Sequence, residues 1–267
     1  MNVQTAEPVG ALVRQWRQRR RLSQLDLSLD ADISTRHLSF VETGRALPSR
    51  EMLLRLADRL DVPLRERNAL LLAAGYAPMY RERPLADPSL AAARHAVELI
   101  LAGHMPYPAM AVDRWWNVIA HNAALMPLLQ GVAPELLQQP NALRLALHPQ
   151  GAAPRIVNLG EWRAHILARL HKQVEVSGDA QLAALMEELR EYPHPGTDTA
   201  PHTDLAGVIV PLQLRAGARV LKLLSTTTVF GTPVDVTLAE LALETFFPAD
   251  EETAEFLRAS AAGTPVA

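Results

Sequence analysis

Few of the chemically capable side chains in this 267-residue chain stand at spacings that let them act together. Of the nine histidines, His165 and His171, and His194 and His202, miss the i, i+4 spacing that puts two imidazoles on one helical face, and no H-E-x-x-H occurs. Cysteine is absent, which excludes a thiolate nucleophile, a thiolate metal site and a disulfide framework. Ser225 and the run Thr226 to Thr228 lack a nucleophile-elbow sequence, and there is no glycine-rich phosphate cradle. Glu240 and Glu244, four apart in an apparently helical stretch, have no partner acid and read as solvated or capping groups. The expectation is no catalytic residue, no metal, no cofactor, and a protein that is not an enzyme. What remains is arginine chemistry. Residues 1–86 hold fourteen arginines against ten acids, whereas residues 87–267 hold twelve basic and nineteen acidic side chains. A basic front on an acidic back suits a small head that meets a polyanion and a body that does not. Arg14, Arg17, Arg19, Arg20 and Arg21 read equally as phosphate contacts and as an ordinary solvated face.

The elements that would position such chemistry lie between Leu22 and Leu60, LSQLDLSLDADISTRHLSFVETGRALPSREMLLRLADRL. Ser23 can cap a helix with Leu27 and Ala31 one turn apart, and Ser34 opens another with Leu38 and Val41 on its buried side. Gly44 stops that helix, and Pro48-Ser49 starts a third carrying Met52, Leu53, Leu56 and Leu60. Two short helices joined by a tight turn leave the second free to enter a major groove.

This segment resembles the Cro/repressor (Xre) family of helix-turn-helix domains over roughly residues 9 to 75, with Gln24 opening the first helix and Glu42-Thr43-Gly44-Arg45 closing the second. It departs from the family at Asp32, where glycine is common, and at Ser28, where alanine is usual. The resemblance implies an all-α, five-helix, lambda-repressor-like domain. It also implies that Thr35, Arg36, Ser39 and Phe40 face the groove, with His37 nearby, while Gln24 and Arg45 touch backbone phosphates. Arginine suits guanine by a bidentate pair, and Phe or a Thr methyl suits thymine. The alternative is that Phe40 is a core aromatic and Arg36 a solvated charge.

Residues 1–78 are therefore read as the DNA-binding domain, 79–88 as a proline- and charge-rich linker, and 89–262 as a second domain. Helical periodicity covers Ser89 to Ala102, strands are expected at Ala109 to Val112 and Trp116 to Ala120, and helices at Ala123 to Leu129, Pro134 to Leu147, Leu159 to Val176 and Asp179 to Glu191. Strands Gly207 to Leu214 and Val220 to Val229 follow, then helices Leu238 to Phe246 and Asp250 to Ala261. Helices grouped between an early hairpin and a late strand pair make this an α+β domain with a small antiparallel sheet.

The second domain resembles the ligand-binding domain of MmyB-like transcription regulators, which is similar to a PAS fold. The matching phrases are Asp113-Arg114-Trp115-Trp116-Asn117-Val118 with Asn122-Ala123-Ala124; His148-Pro149 through Pro154-Arg155-Ile156-Val157-Asn158; Phe230-Gly231-Thr232-Pro233; Glu240-Leu241; and Phe247-Pro248-Ala249-Asp250. The resemblance implies sensing of a small, largely apolar molecule such as a fatty acid. Trp115, Trp116, Val118, Phe230 and Leu243 are the candidate walls of its pocket, with Asn122 and Arg155 as polar anchors. The competing roles are plain core for the aromatics, a helix cap for Asn122 and an ion pair with Glu161 for Arg155. The sequence as a whole reads as a cytoplasmic regulator of transcription, a homodimer on double-stranded operator DNA with no membrane segment. The alternative is a back domain that serves only dimerisation or protein interaction.

Overall fold

The structure, a computed structural model, describes residues 7–194, 210–231, 233 and 235–262. Packing divides it into two units, one of the described residues up to Arg83 with Glu175–Ser177 and Pro233–Ala239, the other of the remainder.

The first unit contains α1 (Val9–Arg19), α2 (Gln24–Asp30), α3 (Thr35–Glu42), α4 (Arg50–Arg59) and α5 (Leu64–Ala73). Serines set three of the starts. Ser23 Oγ accepts from the Asp26 N–H at 3.1 Å while the Asp26 carboxylate accepts from the Ser23 N–H at 3.0 Å, a reciprocal capping box. Ser34 and Ser49 accept in the same way from the His37 and Met52 N–H groups. Asp32 takes the left-handed conformation (φ 53°) in the turn between α2 and α3, and Gly44 (φ 73°) follows α3. Every apolar position expected on these helices is buried, from Leu27, Ala31, Leu38 and Val41 to Met52, Leu53, Leu56 and Leu60, around Val13, Trp16, Leu70 and Leu71. A Cβ at Gly10 would stand 2.1 Å from the Val41 carbonyl oxygen, so the close approach of α1 to α3 requires glycine.

The second unit begins with α6 (Ala91–Gly103), β1 (Ala109–Val112) and β2 (Val118–His121), then α7 (Pro134–Gln138), α8 (Ala142–Leu147), α9 (Leu159–Ser177) and α10 (Ala180–Glu191). Next come β3 (Leu212–Ala216) and β4 (Arg219–Val229), the four-residue α11 (Val236–Ala239) that packs with the first unit, β5 (Ala242–Pro248) and α12 (Glu251–Ala261). The strands form one sheet, every neighbouring pair antiparallel, in the order β2-β1-β5-β4-β3. Alternation divides its faces. Met110, Val112, Leu221, Leu223 and Phe246 join the large core with α8, α9 and α10, whereas Ala109, Ala111 and Leu243 meet Val97 and Leu101 of α6 on the other face.

The α+β reading holds, with one major correction. The expected helix Leu238 to Phe246 is instead the central strand β5, preceded only by the single turn α11. Its Ala, Leu and Glu residues favour helix locally, but pairing with β1 on one side and β4 on the other overrides that propensity. The expected helix Pro134 to Leu147 breaks at Gln139-Pro140, where Asn141 caps a new start by accepting from the Leu143 and Arg144 N–H groups. Ala123–Leu129, which contains Pro127, is a 3₁₀ helix, and the second strand begins at Val118 rather than Trp116. Residues 207–209 of the strand expected from Gly207 lie outside the described residues, and so does Thr232 of the Phe230 to Pro233 phrase.

Candidate functional site

The first unit presents α3 as its candidate DNA-reading element. Arg36 and His37 are exposed on it, Thr35, Ser39 and Phe40 are half-buried, and the Arg36 guanidinium lies 5.3 Å from the centre of the Phe40 ring. The helix is held from behind. Arg17 of α1 donates bidentately to the Glu42 carboxylate at 2.7 and 2.8 Å, and the Gln24 amide donates to the same carboxylate at 2.8 Å. One buried acid thus ties the first helix, the start of the second and the end of the third. Burial opposes ionisation of Glu42, but the hydrogen bonds from Arg17 and Gln24 and the Arg17 charge outweigh it and hold the group below the usual glutamate range. Ser28 also has a role: its hydroxyl donates to the Leu25 carbonyl and lies 2.9 Å from the Thr35 hydroxyl, linking α2 to α3. Arg45 is exposed just after α3, and Gln24 is half-buried at the start of α2.

In the second unit the turn between β1 and β2 is built by its own side chains. The Asp113 carboxylate accepts from the Trp115 and Asn117 N–H groups and from the Asn117 amide, each at 2.9 Å. Arg114 pairs with Asp179 and, at 2.6 Å, with Glu240, while the Trp115 Nε1–H donates to Asp179. These anchors turn Trp115 and Trp116 to different surroundings and hold Trp116 at φ 68°, a conformation a bulky side chain rarely adopts. Trp116 is buried, its Nε1–H donates to Gln173 of α9 at 2.9 Å, and the Arg169 guanidinium lies 4.5 Å from its ring centre.

Trp116 forms part of the wall of a cavity of about 100 Å³ between the sheet and its covering helices. Leucines and isoleucines from the 3₁₀ turn, α8, α9 and β3, with alanines, Met110 and Phe246, make the lining largely apolar. Such a lining favours an apolar occupant over water. Among the described residues its titratable and hydroxyl groups are His165 and Arg169 of α9, Ser225 of β4 and Glu244 of β5, and the indoles of Trp116 and Trp162 also line it. Arg169 donates bidentately to Glu244 at 2.6 and 3.1 Å, and Glu244, 3% exposed, also accepts from Thr227 at 2.7 Å. His165 stacks on Trp162 with ring centres 5.5 Å apart; burial and the nearby Arg169 charge push its pKa below the usual histidine value.

Residues 93–259, more than half of the chain, match the family described as the MmyB-like transcription regulator ligand binding domain. The chain belongs to that family. Residues 13–67 match the helix-turn-helix family, so the protein is a DNA-binding transcription regulator with a ligand-binding domain. No curated protein matches it.

Within this MmyB-like domain the seven expected pocket residues are dispersed. Of them, only Trp116 is among the described residues that line the cavity. Trp115 belongs to a separate, more polar pocket with Asn117, Asn141, Arg144 and Glu188. Val118 packs against the large core, and Phe230 against the smaller one on the other face, where Leu243 is buried. Asn122 accepts from the Ala109 N–H and donates to the Leu101 and Tyr107 carbonyls, a brace for the start of β1 rather than a helix cap. Arg155 donates to the Leu128 carbonyl, and Glu161 accepts from Asn158. Of the polar groups that the cavity does contain, His165, Ser225 and Glu244 enter the sequence reading only for metal, nucleophile or acid chemistry, and Arg169 is not singled out there. Trp162, His165, Ile166 and Arg169 repeat at helical spacing along α9, a signal present in the sequence. Glu244 was hidden by the helical look of β5, and is buried and paired rather than solvated.

Proposed function

We propose that the protein is a homodimeric regulator whose MmyB-like domain takes up a small, largely apolar molecule of the fatty-acyl kind and thereby alters the affinity of its helix-turn-helix heads for an operator. The apolar cavity behind Trp116 carries this reading. A likeness of the domain to PAS folds is supported by its single antiparallel sheet with helices across the cavity. On the DNA side, Arg36 and His37, with Thr35, Ser39 and Phe40, are proposed to meet base edges, and Gln24 and Arg45 to meet phosphates. Dimerisation is proposed because one short recognition helix reads few base pairs, and two heads on half-sites a helical turn apart supply the missing specificity. Among the described residues no helix is long and apolar enough to cross a membrane, and no group of His, Cys, Asp or Glu is arranged to hold a metal. We place the protein in the cytoplasm, with the DNA.

Native mass spectrometry of the purified chain, followed by denaturing extraction, tests this. A dimer carrying an apolar molecule in stoichiometric amount is expected, and its addition to the stripped protein should shift operator binding. A chain that takes up nothing from a lipid panel would instead mark the domain as a dimerisation or protein-interaction module.

A further inference from the structure

The cavity has a net charge problem for any ionised ligand. Among the described residues its one arginine, Arg169, is already neutralised by Glu244, and both acid oxygens are engaged by Arg169, with Thr227 adding a third donor. The other lining groups that can hydrogen-bond are uncharged or titratable. Trp162 lines the cavity, and its buried Nε1–H finds no acceptor in the protein among the described residues. His165, stacked on it, faces the same space, and Ser225 contributes a hydroxyl from β4. Glu161, one turn before His165 on α9, is the other acid that acts on this imidazole.

We propose, resting on the ligand-sensing reading above, that the cavity admits a fatty-acyl ligand only with a charge-neutral head: an alcohol, amide or ester as such, and a carboxylate only together with one proton. Neutral His165 can donate to or accept from such a head, and the Ser225 hydroxyl can do the same. Among the described residues that line the cavity, an ionised carboxylate has no unpaired cation to meet. Displacing Glu244 from Arg169 would leave a buried acid without its partner, the outcome that buried ion pairs resist most strongly. Charge balance is restored if His165 becomes an imidazolium or if the head arrives protonated, and either route consumes one proton per ligand.

The test is calorimetric titration of the stripped full-length chain with decanoate and with decanol, each in buffers of different ionisation enthalpy at matched pH. Decanoate is expected to bind with uptake of about one proton and to weaken about tenfold per unit rise in pH, whereas decanol binds with about none and a flat profile. In Glu244→Gln, which frees Arg169, decanoate should bind without a proton and more tightly at neutral pH. His165→Gln keeps the Arg169–Glu244 pair and removes the imidazolium route, so it should weaken decanoate more than decanol. Tight decanoate binding to the unmodified chain with no proton uptake and no pH dependence would overturn the proposal while leaving the sensor reading intact. Failure of both ligands to bind would overturn the sensor reading, and this proposal with it.

Discussion

At the scale of single residues, Arg36 and Glu42 stand for two roles in the head, one open to DNA and one holding the helices together. Arg36 is exposed on α3 and leans over Phe40. Arg36→Ala is expected to cost about 1–3 kcal/mol on the best operator and to relax preference at one base pair, as selection experiments on randomised operators would show. A uniform loss on every sequence would mark it as a phosphate contact instead. Glu42 is a different case, 2% exposed in its side chain and bound by Arg17 and Gln24. Glu42→Ala leaves Arg17 without its counter-ion, and an expected loss of about 3–5 kcal/mol should appear in denaturant unfolding of the head. In the ligand domain, Trp116→Phe keeps most of the buried ring and forfeits the bond to Gln173. It should preserve the circular dichroism spectrum and operator binding while weakening the ligand response.

At the scale of elements, two backbone positions in the head make opposite predictions. Gly10 lies where α1 crosses α3, and a methyl group there would stand 2.1 Å from backbone that cannot yield locally. Gly10→Ala is therefore expected to destabilise the head by about 1–3 kcal/mol, read from its unfolding midpoint. Asp32 occupies the left-handed region at φ 53°, so Asp32→Gly relieves strain of about 1 kcal/mol and should raise the midpoint. The departure from the family pattern at this residue is thus accommodated by the turn, and the one at Ser28 is used to bond Thr35. Caps and periodicity made the head's helices legible because those signals act within a turn or two of chain. The same local signals misled at β5, whose identity as a central strand depends on partners more than a hundred residues away in β1 and adjacent in β4.

At the scale of the molecule, buried and half-buried titratable groups fix how stability follows pH. Glu42, Asp179 and Glu188 are all held below their ordinary values in the folded chain: Glu188 chiefly by hydrogen bonding to Arg144, the other two by bonds and charges that outweigh burial. On acidification the unfolded chain binds protons at these acids first, so their contribution is complete above the usual carboxylate range and is lost as pH falls through the folded values. His165 is lowered as well, by burial and then by Arg169, and the unfolded imidazole protonates first below its ordinary 6.5. Thermal midpoints should therefore be level from neutrality to about pH 9, begin to fall below about pH 6.5 and fall further in the carboxylate range; His165→Gln should remove the first decline and not the second. The sequence by itself determined the helix-turn-helix, the two-part organisation, the family and the absence of thiol chemistry, because capping, helical periodicity and short motifs are written in neighbouring residues. Only the tertiary structure decided which side chains share a cavity. It turned Trp116 inward and Trp115 elsewhere, set Leu243 and Phe246 on opposite faces of one strand, and brought Arg169 to Glu244 across 75 residues of chain. Those meetings depend on strand pairing and helix packing between distant segments, which no local pattern encodes.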